Sequence, residues 1–189
     1  MEFFYYIIII FAIILLYLFV TFIINKLKEN LAFDEIEEFC EKRGYLYQKV
    51  KDSRYDLIIT GEDFKMYVAV CKVPAASSVT INSRTTWCLR FGGKRKGKGY
   101  SAKRYLNELN PFLGFNPEKD ASKKTIYKVV VFYPTCEAIL KYMNESEIME
   151  IKPENISFGY KAITYNTFYS KFDDLLVLNQ KELTNPRNN

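Results

Sequence analysis

The chain predicts an α/β (α+β) domain, a mixed central sheet flanked by helices, preceded by one transmembrane helix. Three observations predict it. Residues 3–24 form an unbroken apolar run; segments of helical and of period-two spacing alternate over 34–178; and turn residues separate those segments.

The apolar run, FFYYIIIIFAIILLYLFVTFII, holds 22 residues with no charge, polar only at Thr21 and the tyrosine hydroxyls. A helix of that length rises about 33 Å, enough for a hydrocarbon core of about 30 Å. A cleaved leader expects a basic start and a small-residue cleavage site. Here the start is Met1-Glu2 and no A-x-A pattern follows, so the reading is a retained single-pass helix in a cell membrane. Lys26 and Lys28 follow it, which places the C-terminal body in the cytoplasm by the positive-inside rule.

Residues 25–33 read as a linker. Asp34, with Glu37 three positions on, opens a helix over 34–43 that Gly44 ends. YLYQKV (45–50), YDLIIT (55–60) and MYVAVCKV (66–73) are strands separated by KDSR and by Gly61-Glu62-Asp63. VTINSR and TTWCLRF are two more. From Ser101 the spacing of Tyr105, Leu106 and Leu109 predicts a helix that stops before Pro111. IYKVVVFYP (126–134) is the strongest strand; Thr135 then caps a helix CEAILKYM (136–143). EIMEIKP (147–153) is a strand, Asn166 caps a last helix TFYSKFDDLLVL, and 179–189 is a polar tail.

No histidine occurs, which excludes His-based triads, His metal ligands and an imidazole general base. Cys40, Cys71, Cys88 and Cys136 are scattered, without C-x-x-C spacing, as buried small hydrophobes in a reducing compartment would be. Trp87 reads as core.

YDLIIT, the strand ending VAVCK and the later KVVVFYP stand in the order helix, three-stranded meander, helix, apolar strand. This order resembles the restriction-endonuclease-like, or PD-(D/E)xK, superfamily, and most of all its nuclease-related domain. The resemblance covers about residues 34–178. It implies that Asp56 holds a divalent metal, Mg²⁺, and that Lys72 stabilises the charge developing on phosphate. The partner acid belongs two positions before Lys72, on the same strand face, and that position is Val70. Glu62 or Asp63, or Glu37, Glu38 or Glu41, would have to replace it for an active nuclease. The plainer readings are Asp56 as a turn cap and Lys72 snorkelling at a strand end.

The charge is local. Arg90, Lys94, Arg95, Lys96, Lys98, Lys103 and Arg104 fall in one acid-free stretch, FGGKRKGKGYSAKR and the residue before it. The chain nets +5, so the remainder, +5 less these seven, nets −2. Four glycines interrupt the stretch and resist regular structure. Such a loop can contact the phosphates of DNA or RNA, anionic lipid headgroups beside the anchor, or only solvent. The expectation is a membrane-anchored, nuclease-like domain, degenerate at its metal site, that binds nucleic acid through this loop. An active metal-dependent nuclease and a membrane-tethered scaffold are the alternatives.

Overall fold

The computed structural model describes residues 2–50, 52, 54–91, 102–117, 124–143 and 148–177. It divides into two compact units, Met1–Gly44 and Tyr45–Asn189.

The first unit is one helix, α1 (Glu2–Lys42), 41 residues long. It continues without a break through 25–33, where a linker was expected. NKLKENLAF holds neither proline nor glycine, and its Lys, Glu, Leu and Ala are good helix formers. Asp34 therefore stands inside a helix and caps nothing. Gly44 does end it, at φ +71°, where a side chain would be strained. The side chains over 5–20 are exposed, and α1 is long and apolar enough to cross a membrane.

The second unit is α/β with two mixed five-stranded sheets rather than one central sheet. The first sheet begins as an antiparallel meander of β1 (Leu46–Lys49), β2 (Leu57–Thr60) and β3 (Phe64–Lys72). To it β7 (Thr125–Tyr133) and β10 (Lys161–Thr164) add in parallel, giving the order β1-β2-β3-β7-β10. In the second sheet β4 (Ser77–Ile81), β5 (Trp87–Phe91) and β6 (Ala102–Tyr105) form another antiparallel meander. Strand β8 (Ala138–Tyr142) joins β4 in parallel, and β9 (Ile148–Glu150) closes the edge, giving the order β6-β5-β4-β8-β9.

One apolar cluster joins the two sheets. Tyr67, Ala69 and Cys71 of β3 and Val130 and Phe132 of β7 share it with Val79, Ile81, Trp87, Leu89 and Ile139. The opposite face of the first sheet buries Leu57, Ile59, Met66, Val68, Val129 and Val131, the alternate residues of the same strands. Against that sheet lies α3 (Tyr165–Phe168), followed by α4 (Phe172–Leu176).

Two expected helices are strands. CEAILKYM carries β8: its residues are buried on both faces, so the apolar run satisfies helical spacing as readily as strand alternation. AKRYLNEL carries β6, then a 3-10 turn (Asn107–Leu109) and α2 (Asn110–Leu113), with Pro111 in the first turn of α2 instead of beyond a helix end. Pairing with β5 overrides its local propensity. The expected last helix is broken into α3 and α4, and β10 is a strand with no forecast.

Candidate functional site

The first and third strands of a meander run the same way, and β3 outruns β2. Leu57 of β2 pairs with Val68, so residues 69–72 of β3 extend past the start of β2. The notch opens into a cleft of about 440 Å³ lined by Asp52, Arg54, Tyr55, Asp56 and residues 69–72. Arg104, Glu108, Leu109 and Phe112 complete the lining.

Asp56 completes the ladder that β2 leaves unfinished. Its backbone N–H donates to Val68 O at 2.9 Å, and its Oδ2 accepts the Val70 N–H at 2.7 Å. A buried N–H without a partner would cost about 1–3 kcal/mol, so the carboxylate has a structural duty here. Lys72 ends β3, exposed, in register with Tyr133 of β7. Val70 lines the same cleft, where the resemblance wants a carboxylate.

Two carboxylates that the sequence reading did not single out also line the cleft. Asp52 is gripped by Arg54, whose Nε and Nη2 donate at 3.0 and 2.7 Å, and these bonds hold its carboxyl below the usual range. Arg54 also lies 4.9 Å over the Phe115 ring. Glu108 accepts from Arg104 Nη2 at 2.7 Å, an i, i+4 pair visible in the sequence spacing. Glu62 and Asp63 lie at the other end of β3 and line a different cleft. Glu37, Glu38 and Glu41 belong to α1.

Each acid of the cleft is thus engaged, and among the described residues no group of three or more His, Cys, Asp or Glu side chains converges as a metal site would. Mg²⁺ is usually held by one or two carboxylates together with water and substrate phosphate. Here the carboxylates of Asp52, Asp56 and Glu108 do not fit that role, because each is bonded to a protein donor.

Of the seven basic residues, Lys94, Arg95, Lys96 and Lys98 lie outside the described residues. Their segment joins β5 to β6, and the register Arg90↔Lys103 and Phe91↔Ala102 closes its two ends side by side. Arg90 is only 6% exposed; its Nη2 donates to the Tyr142 hydroxyl and its guanidinium sits 5.1 Å from that ring. Arg104, one strand over and next to Lys103, faces the cleft.

Cys71 lines the cleft but is only 2% exposed. Burial above all, with Glu108 and Asp56 adding repulsion, pushes its thiol up to about 12, and burial does the same to Cys136. At pH 8 neither is expected to react with iodoacetamide in the folded protein, and both react in urea; rapid labelling of Cys71 in the native state contradicts this. The sign for stability follows. Thiols whose folded pKa exceeds the unfolded value near 9 favour the fold below that pH, and the benefit is lost as pH rises toward 12.

No protein family, curated protein or solved structure matches this chain.

Proposed function

We propose that the chain is a membrane-anchored protein whose second unit, restriction-endonuclease-like in its first sheet, binds nucleic acid without cutting it. The observation that carries this is the position of Arg104. It belongs to the basic segment and also lines the cleft that holds Asp56 and Lys72, where Arg54, Lys72 and Arg104 stand beside Asp52, Asp56 and Glu108. The order β1-β2-β3-β7, a meander followed by a parallel strand, is the part of the resemblance that supports this reading; β4 to β6 stand where the resemblance has a helix. Lys72 would meet phosphate at the cleft, Arg54 and Arg104 would do so by exchanging their carboxylate partners for it, and the basic residues between β5 and β6 would add further phosphate contacts. Asp56 serves the ladder, and Val70 leaves the metal shell incomplete. Helix α1 is the anchor, with Lys26 and Lys28 favouring a cytoplasmic second unit.

The test is a titration of the full chain in detergent micelles with single- and double-stranded DNA and RNA, at two salt concentrations, with Mg²⁺ and with chelator. Binding should fall steeply with salt, and changing Lys94, Arg95, Lys96 and Lys98 to alanine should weaken it by at least about ten-fold and flatten the salt dependence. The nucleic acid should emerge intact. Mg²⁺-dependent cleavage abolished by Asp56→Ala would establish the active nuclease instead. Binding to anionic vesicles with none to nucleic acid at low salt would establish the lipid-facing scaffold.

A further inference from the structure

A second cleft, of about 420 Å³, lies at the opposite end of β3. Tyr45, Phe64 and Tyr127 supply aromatic walls; Glu62, Asp63, Thr125 and Leu176 complete the lining. The nine residues of β3 put this end about 26 Å from Lys72, at roughly 3.3 Å per residue.

The walls are held by ring packing. Tyr45 meets Phe64 edge-on at 5.2 Å and stacks on Phe172 at 5.5 Å, and Phe64 meets Tyr127 edge-on at 6.4 Å. The Tyr127 hydroxyl donates to Leu176 O at 2.8 Å, which turns the ring's polar tip away from open solvent. Both acids are exposed at the rim, in the turn between β2 and β3. Two cations lie nearby, and one of them, Lys161, already covers the Tyr127 ring. Lys124 Nζ donates to Gly61 O at 2.8 Å, and buried Lys161, 5.3 Å from the Tyr127 ring, donates to Leu175 O and Val177 O.

We propose that this cleft binds an organic cation, an ammonium group carried by a small molecule or by a lysine side chain. Aromatic faces attract a weakly hydrated cation through their quadrupoles, and adjacent carboxylates supply the matching charge. Hard divalent ions are held by oxygen ligands, and ring faces offer them none. A neutral ligand would gain nothing from the two carboxylates exposed at the rim. The volume suits a small ligand or one side chain. The site stands apart from the nucleic-acid surface and does not depend on it.

The full chain in micelles is titrated with choline, with its neutral carbon analogue 3,3-dimethylbutan-1-ol, and with Nα-acetyl-lysine methylamide, following tyrosine side-chain NMR shifts. At least one of the two cations should bind and the alcohol should not; the tighter cation identifies a quaternary or a lysyl source. The double variant Glu62→Gln with Asp63→Asn, at two exposed positions, should keep the fold by circular dichroism and weaken cation binding by about ten-fold or more. Equal binding of the alcohol, unchanged affinity in the double variant, or no response to either cation overturns the proposal.

Discussion

Replacing Lys161 with methionine is expected to lower the stability of the second unit by about 1–3 kcal/mol. Lys161 is 2% exposed, on β10, and its Nζ reaches Leu175 O and Val177 O at 2.8 Å each. With the Tyr127 hydroxyl on Leu176 O, three consecutive carbonyls at the end of α4 take donors from two strands of the first sheet. A helix of five residues cannot hold itself in water, so α4 depends on this clamp and on its buried Phe172 and Leu175. Methionine keeps most of the volume but leaves two carbonyls without their donor. Urea unfolding followed by the fluorescence of Trp87, the one tryptophan and 1% exposed, measures the loss. An unchanged midpoint would remove the clamp from the account.

The pH dependence separates this effect from simple packing. Burial lowers the Lys161 pKa from 10.5, against the opposing pull of Glu154 and Asp174. Above the folded value and up to the unfolded one, the unfolded chain holds the proton more tightly, so stability from this residue rises with pH and falls away as pH drops. The gap between the wild type and Lys161→Met should therefore widen on the alkaline side, toward pH 10.5.

Gly61→Ala is expected to cost about 3 kcal/mol, at the upper end of overpacking effects. A Cβ at this position would stand 2.2 Å from Phe64 Cε1 and 2.8 Å from Cζ. The ring has little room to yield, because Tyr45, Tyr127 and Phe172 surround it. The same urea experiment reads the cost, and the movement of Phe64 should also weaken choline binding at the adjoining cleft. A variant as stable as the wild type would show that the ring can move aside.

Much of the strand content was legible because it rests on local pattern. YDLIIT and IYKVVVFYP carry β-branched and aromatic residues between turn signals, and both became strands close to the expected bounds. Gly44 ended its helix for the conformational reason that marked it. The failures share a cause. CEAILKYM and KAIT form strands because β4 and β7 offer them partners, and those partners lie about 60 and 30 residues earlier in the chain. A spacing that fits both periods cannot report which neighbour will supply the hydrogen bonds.

The site divides in the same way. Asp56, Val70 and Lys72 could be singled out from one strand pair, and the structure sets all three at one cleft. Glu108 and Arg104 reach that cleft only because β6 pairs with β5 and the following turn returns the chain toward the first sheet. Likewise Tyr45, Asp63 and Tyr127 meet across a meander and a parallel crossover.

By itself the sequence determined the long apolar helix, the absence of histidine chemistry, the local basic segment and most strands, since each depends on composition or on neighbours a few residues away. Tertiary structure alone decided that there are two sheets, that Asp56 spends its carboxylate on the Val70 N–H, and that an aromatic, acid-rimmed cleft lies at the far end of β3. Those outcomes depend on which distant backbones exchange hydrogen bonds and which alternate faces then share a core, and no short window of residues contains that choice.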